Sequence, residues 1–594
     1  MLDSLTKRLS PLPFWVNLIG VILLALFFLL RNPSSKWDKT IGGDGKSYYA
    51  YLTTAFIYHD LDYKFIESYE AKYYPPDQSL FKEFRQEFKG EITNKTFPGI
   101  AILWLPFFLI AHFLSYLSGF DPDGYSLLYQ YSIGISAVFY VWLGLKWLSA
   151  LLLSLEFKRN AIKLTLISLV FGTNLFFYTI YDPSLTHVYN FSMLAGILYF
   201  TRRFYLENKS KWILIAISLF SIAIITRPTN ILMILFLPFA LGNIADFKSF
   251  LRLIFANKKR LLIIIIIALA IGLIPIIWWF IQTGNLIVYS YGEETFNFSN
   301  PHLFQILFSY EKGWLLYSPL ILLSIFGIIY YFKKNRFLFL IGMVSFISIA
   351  YIFSCWWIWT YGASFGQRVF VDFYAIIGIL LVAGFTLLQH HKLTTILWFV
   401  IAFSFIGLNQ LQTYQFKNGI LPSTGVTKAI YWDSYFKLKA IRKSHPIGKL
   451  YEVIKQYQTD FESDAKWITI TTKTDTKANS GQFSQQISAD SPYSGGLKEK
   501  IPLGADFIQV SVNIYCESNS ASPELVYELA TNINNSIYNS KGLMPYLRKN
   551  RWTKFYCTIE LEDKSRKDFT TYFYNPTNDK IWIDDLEITF GRYK

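Results

Sequence analysis

Residues 94–117 read NKTFPGIAILWLPFFLIAHFLSYL, and whether this stretch crosses a bilayer sets the orientation of everything that follows it. Its length and apolar content suit a span. It opens on Pro98-Gly99, however, and contains Pro106 and His112, which suits a juxtamembrane or re-entrant helix near the interface.

The surrounding chain makes the bilayer the relevant solvent. Of 594 residues, 53% are hydrophobic and 19% aromatic, with 54 Phe, 41 Tyr and 17 Trp, more apolar surface than a soluble domain uses. The net charge of +15 does not point to nucleic acid. Lys and Arg sit in short clusters between apolar runs, where they read as cytoplasmic anchors.

Apolar runs long enough to span, or nearly so, lie at 13–30, 98–117, 128–153, 161–181, 188–201, 212–226, 229–245, 261–283, 315–332, 337–356, 369–388 and 393–410. The first follows Lys7 and Arg8 without a small-residue cleavage site and reads as a retained signal anchor. The basic loops Glu156–Lys163, Arg202–Lys211, Lys248–Arg260, Lys333–Arg336 and His390–Lys392 fall after every second run counted from 128. All five belong inside under the positive-inside rule. With the N-terminus also inside and 31–97 outside, that parity holds only if 98–117 does not cross. The expectation is an α-helical polytopic membrane protein of eleven spans with an outer C-terminus. Twelve spans with one misplaced basic loop is the alternative.

From about 412 apolar runs shorten and strands alternate, as in Trp467–Thr471, Phe507–Val512 and Ile581–Thr589. The spacing predicts a membrane domain over 1–411, a partly helical linker over 412–459 and a soluble β-sandwich over 460–594. Of three cysteines, Cys355 lies in an apolar segment, and Cys516 and Cys557 lie in the polar region. An outer location permits a disulfide between the last two; free buried thiols are the other reading.

This topology gathers chemistry on one side. The outer segments hold Gly43-Asp44-Gly45-Lys46, Asn94-Lys95-Thr96-Phe97-Pro98-Gly99, Asp182 to His187, Arg227-Pro228, Tyr291 to Glu294 and Tyr361 to Arg368, whereas the inner loops hold basic anchors. Asp44, between two glycines and ahead of Tyr48 and Tyr49, is the first choice for a general base with aromatic rings to stack on a sugar; its bland reading is a helix cap. Asp60 and Asp62 are weaker candidates, since paired acids at a helix end are usually solvated. Lys95, at the start of the 98–117 helix, suits a lipid phosphate, or is a snorkelling lysine. Arg368, with Gly362 and Gly366 before it, suits bidentate phosphate binding. His187, Arg227 and Glu293 are candidate substrate-binding residues, with capping, a protein-facing charge and a solvated loop as their plain readings. The sequon at Asn94 is discounted as chance. There is no ordered His and carboxylate motif for a metal, and a divalent ion on Asp44 and a second acid stays open.

Asp44 in the first outer loop, Lys95-Thr96-Phe97-Pro98-Gly99 closing that loop, the inferred spans and the outer soluble domain together resemble the GT-C superfamily of polyprenyl-phosphate-dependent glycosyltransferases. The nearest branch is that of protein O-mannosyltransferases and aminoarabinose transferases. The resemblance covers about residues 10 to 410 and implies a donor sugar on a polyprenyl phosphate. It also implies a protein, glycan or lipid acceptor and a bacterial inner-membrane location with the site facing the periplasm. Matched residue by residue, it implies that Asp44 acts on the acceptor and Lys95 contacts the lipid phosphate. Gly45-Lys46 stands where the family often has a second acid, and Phe97 where it has the first proline of a pair. The C-terminal region looks like a carbohydrate-binding-module jelly roll, chiefly through Ile581–Ile588. A lipid flippase, and a non-catalytic assembly subunit, are the rival classes; a flippase needs polar residues spread through the spans, which hold few acids besides Asp372.

Overall fold

Proline placement and charge divide the apolar runs into unbroken and broken helices. In the computed structural model of the full chain the described residues are 12–30, 39–73, 84–292, 294–438, 451–462, 472–518, 521, 523–532, 535–543, 550–561 and 566–593. They fall into two units, one of the described residues up to 438, the other of those from 451 on.

Among the described residues of the first unit seven helices are long and apolar enough to cross a membrane: Pro13–Leu30, Gly99–Ser118, Leu127–Ser154, Lys258–Thr283, Arg336–Ser354, Arg368–Leu388 and Lys392–Lys417. An eighth would be Pro228–Leu241 with Ile244–Phe255, a pair bent by 116°. Several of the runs read from sequence are interrupted. The 315–332 run breaks at Ser318-Pro319 into Trp314–Tyr317, a 3-10 turn Pro319–Leu323 and Ser324–Lys334, since a proline lacks the amide that continues a helix. The 161–181 run ends its first helix at Phe171 and resumes as Leu175–Ile180. The Gly99–Ser118 helix, read from sequence as lying at the interface, has the length and hydropathy of a span.

Four of the five basic loops are linked at one end of this unit, by contacts in or beside them. Arg202 donates to the carbonyls of Ser154 and Leu241 at 3.1 and 3.3 Å. Arg260 donates to Asn208 Oδ1 at 3.2 Å and to the Leu253 carbonyl at 2.8 Å, and Asn335 Nδ2 donates to the Gly242 carbonyl. The guanidinium groups thus satisfy helix-terminal carbonyls and sit at the negative ends of the dipoles. The helix His187–Glu207 carries His187 at one end and Arg202 and Arg203 near the other. At about 1.5 Å per residue it sets the two ends roughly 30 Å apart.

The second unit is a two-sheet sandwich. The first unit holds the hairpin β1(Arg85–Phe88) and β2(Glu91–Asn94); in the second, one sheet has the order β10(Thr553–Glu560), β7(Phe507–Cys516), β12(Ile581–Tyr593), β5(Ser484–Ile487), β4(Lys473–Thr474), with β3(Tyr451–Thr459) also on β12, and the other has the order β6(Leu497–Lys500), β11(Asp568–Tyr574), β8(Glu524–Asn532), β9(Asn535–Gly542). Alternating residues such as Val510, Val512, Phe569, Phe573, Ile583 and Ile588 fill the space between them. The strand Tyr451–Thr459, placed in the linker from sequence, belongs to this sheet, and the expected strand at 467–471 lies outside the described residues. Cys516 and Cys557 are buried and are not joined to each other as a disulfide, so the expected disulfide is corrected. Cys557 pairs with Val510 across the β7 and β10 ladder, which leaves Cys516 about 20 Å further along the strand at ~3.3 Å per residue.

Candidate active site

The cleft is assembled by four short segments that approach each other closely at the end of the unit opposite the basic loops. Asp44 begins the helix Asp44–Thr53. The turn before it hangs from Gln130, whose Oε1 accepts the amides of Thr40 and Ile41 at 2.9 and 2.8 Å, and the Gly42 amide donates to Ser184 Oγ at 3.2 Å. A Cβ on Gly45 would lie 2.2 Å from Ser184 Oγ, so glycine is what allows the Asp44 turn to press against the Asp182–His187 loop.

The same helix is stitched to the segment carrying Lys95. Asn94 Nδ2 donates to the Ser47 carbonyl at 2.8 Å, Thr96 Oγ1 to Ser47 Oγ at 3.0 Å, and the Tyr51 hydroxyl to the Thr96 carbonyl at 2.5 Å. Asn94 is fully buried, which closes its sequon to a glycan. A Cβ on Gly99 would lie 2.4 Å from the Thr226 amide nitrogen. This close crossing brings the lysine segment against the end of the helix Ser210–Thr226, where Arg227 follows.

Arg368 opens the segment Arg368–Phe373 and is aimed by a pinned loop. The Phe365 amide donates to the Tyr178 hydroxyl at 3.0 Å, Gln367 Nε2 to the Trp359 carbonyl at 2.8 Å, and the buried Lys312 ammonium to the Ser364 carbonyl at 2.5 Å. Its Nη2 donates to Asp44 Oδ2 at 2.7 Å. Its buried Nε has no hydrogen-bond partner among the described residues.

The other cations are also paired. Lys95 Nζ lies 2.5 Å from Glu294 Oε1. Arg227 Nη1 lies 3.6 Å from Asp372 Oδ2 and 3.5 Å from His187 Nδ1. Asp372 is fully buried and is held by His187 Nδ1 at 2.7 Å and Asn190 Nδ2 at 2.9 Å. Asp44 keeps 50% of its side-chain surface open, the signature of a group in a cleft that water reaches. Burial in the cleft pushes its carboxyl up, but the charges of Arg368, Lys95 and Arg227 outweigh that and hold it below the ordinary carboxylate value. Burial raises the Tyr48 phenol, and raises that of Tyr291 to about 12, so both are neutral hydroxyls beside Asp44.

The structure therefore brings Asp44, Tyr48, Lys95, His187, Arg227 and Arg368 into one neighbourhood. Tyr49 is not among them: its hydroxyl donates to the Gly124 carbonyl at 2.7 Å and its ring packs on Trp104, Phe108 and Tyr125, because adjacent helical residues point about 100° apart. Glu293 lies outside the described residues; its neighbour Glu294 makes the contact with Lys95. Asp60 accepts the amides of Asp62 and Phe65 at 3.1 Å each and so serves a turn. Asp372, an acid inside an apolar run, carried the one signal that pointed to it, since an ionisable residue there faces protein. Among the described residues no group of three or more His, Cys, Asp or Glu gathers to hold a metal. An apolar groove of about 360 Å³, lined by Phe239, Trp314, Leu322, Tyr331, Phe346 and Phe370, begins two residues from Arg368 along the chain.

The β unit has a feature of its own. Tyr574, Tyr493 and Tyr572 form a continuous ring row, with centroids 5.0 Å apart for the first pair and 5.9 Å for the second. The Tyr572 hydroxyl lies 3.2 Å from that of Tyr538. Tyr493 and Tyr538 are 55% and 64% exposed, and Tyr572 and Tyr574 alternate with the inward Phe573 along β11.

No family model matches the chain, and no curated protein matches it. Among solved structures it is similar to the arabinosyltransferase EmbB from Mycobacterium smegmatis, at 9% identity and a TM-score of 0.33, over 97% of this chain and 67% of that one. It is also similar to the CBM22-1 xylan-binding domain from Paenibacillus barcinonensis Xyn10C, at 13% identity and a TM-score of 0.19, over 25% of this chain and 99% of that one. TmCBM61 in complex with β-1,4-galactotriose matches at 12% identity and a TM-score of 0.14, over 24% of this chain and 86% of that one. None of these likenesses assigns a residue of the cleft.

Proposed function

We propose that this chain is a membrane glycosyltransferase that moves a sugar from a polyprenyl phosphate to a glycan, protein or lipid acceptor on the non-cytoplasmic face. In a bacterial cell that face is the periplasmic side of the inner membrane. The observation that carries the reading is the Arg368–Asp44 contact at 2.7 Å, with Asp44 half open to water and the Lys95 segment hydrogen-bonded to the Asp44–Thr53 helix. Three cations answer a phosphate at headgroup depth, and the apolar groove beside Phe370 suits a prenyl chain.

In the proposed reaction the acceptor oxygen attacks the anomeric carbon opposite the phosphate. The new glycosidic bond forms as the bond from that carbon to the phosphate oxygen breaks, and the acceptor proton passes to Asp44. The phosphate keeps the bonding electron pair and leaves against charges already in place. Attack from the opposite side inverts the anomeric configuration. The exposed tyrosines on the β unit favour a glycan acceptor, since the near-parallel Tyr493 and Tyr574 rings offer a face on which a sugar can stack. Asp44→Asn in purified protein should lower transfer by about 10²- to 10⁴-fold with the fold intact. Full transfer by that variant removes the mechanism, and substrate-stimulated lipid movement without bond cleavage would favour a flippase.

A further inference from the structure

Each cation of the cleft is already matched to a carboxylate: Arg368 to Asp44 at 2.7 Å, Lys95 to Glu294 at 2.5 Å and Arg227 to Asp372 at 3.6 Å. A cleft balanced in this way can admit a phosphate by taking in a cation, by taking up a proton, or by releasing carboxylates from their partners.

The pairs differ in how firmly the acid is held. Asp372 is fully buried and fixed by His187 and Asn190 as well as by Arg227. Asp44 and Glu294 are 50% and 23% exposed, and among the described residues their carboxylates make no other hydrogen bond than those to Arg368 and Lys95. Arg368 has its buried Nε donor unspent. The groups facing Asp44 are Tyr48 on its own helix, Lys95, Arg227, Tyr291 and Arg368, with Asp182, His187 and Asp372 around the two arginines.

Taking the donor-lipid reading as its premise, we propose that phosphate binding is a counter-ion exchange. Arg368 and Lys95 turn from Asp44 and Glu294 to the phosphate oxygens, and the two released carboxylates become the acceptor side of the site. Asp44 takes the acceptor proton, and Glu294 accepts a hydrogen bond that orients the acceptor. Losing its cationic partners while staying enclosed makes Asp44 a better base only when the donor is present. The arrangement couples the arrival of the leaving group to the activation of the base.

The test is titration calorimetry of the full chain in lipid nanodiscs with a polyprenyl monophosphate, in two buffers of different ionisation heat. Inorganic phosphate is run in parallel. Exchange requires that removing a competing carboxylate tightens binding: Glu294→Gln and Asp44→Asn should bind the lipid about 2- to 5-fold more tightly than wild type, the range of a partly exposed ion pair. Lys95→Gln should bind about tenfold more weakly. Asp44 has to stay ionised to take the acceptor proton, so wild type and Asp44→Asn should show the same proton uptake on binding, and a full proton taken up by wild type alone overturns the exchange. A merely structural role for Glu294 predicts weaker binding in the glutamine variant, and that result, or unchanged affinity in both carboxylate variants, overturns the exchange. Tightening seen with inorganic phosphate and not with the lipid assigns the anion to a soluble source and overturns the lipid part. A wild-type protein that binds neither probe removes the donor-lipid reading itself, whatever the variants do.

Discussion

Arg368 Nη2 lies 2.7 Å from Asp44 Oδ2, across 324 positions of chain. The contact ties the loop before the Asp44–Thr53 helix to the head of the Arg368–Leu388 helix, so the proposed base and one proposed phosphate-binding cation are set by the same pair of atoms.

Arg368→Lys keeps the charge and loses the planar fork. Lysine offers one point of contact where arginine offers parallel donors, so donor KM should rise about tenfold with a smaller change in kcat, while Arg368→Gln should lose both. Steady-state kinetics against donor concentration separate the two variants. Equal KM values in Arg368→Lys and wild type would remove the bidentate role.

The acidic limb of the pH profile should depend on which constant is plotted. In the free protein the Asp44 carboxyl is held below its ordinary value by three cations, so its charge, and the stability of its ion pair, are kept above that range and lost as pH falls through the lowered value. The limb of kcat/KM reports that free state, and the limb of kcat reports the donor complex, where the cations have turned away. The kcat limb should therefore lie at higher pH. Coincident limbs would argue against any change at Asp44 on donor binding.

Asp372 is the internal counter-charge for Arg227. Replacing it by leucine leaves Arg227 and His187 without a buried partner and should cost about 3–5 kcal/mol, the range for breaking a buried pair. Asp372→Asn keeps an acceptor for Asn190 and should cost less. Thermal unfolding in detergent measures both, and a leucine variant as stable as wild type contradicts the role.

The crossing at Gly99 is equally testable. Alanine there sets a methyl 2.4 Å from the Thr226 nitrogen, and relieving that overlap costs about 1–3 kcal/mol by displacing the helices. Donor binding should fall in Gly99→Ala, because the Lys95 segment and Arg227 move apart. Unchanged affinity for the lipid phosphate would show that this crossing does not set the site.

Asp44, Lys95, Arg227 and Arg368 stand out in the sequence as charges within three residues of a glycine or proline and outside the apolar runs, with Lys95, Arg227 and Arg368 close to a run's end, where a charge faces protein or a cavity. Their partners were harder. Glu293 and Glu294 are adjacent acids in one loop, and only the fold of that loop assigns Lys95 to Glu294. Tyr48 and Tyr49 are equally aromatic, and helix phase sends one to the cleft and the other to Trp104. The span count depended on breaks such as Ser318-Pro319, which hydropathy averages over. The two C-terminal cysteines share a region but not a register, and register depends on strand pairing.

Strand β12 is hydrogen-bonded to β7, β3 and β5, yet it leaves the ribosome after all of them. The sheet has no centre until it arrives, so the earlier strands wait with open edges, exposed to mispairing. By then the helices bearing the cleft have been made. Helical and sandwich units thus come of age in sequence, and a lesion within 581–593 should unravel the second while sparing the first.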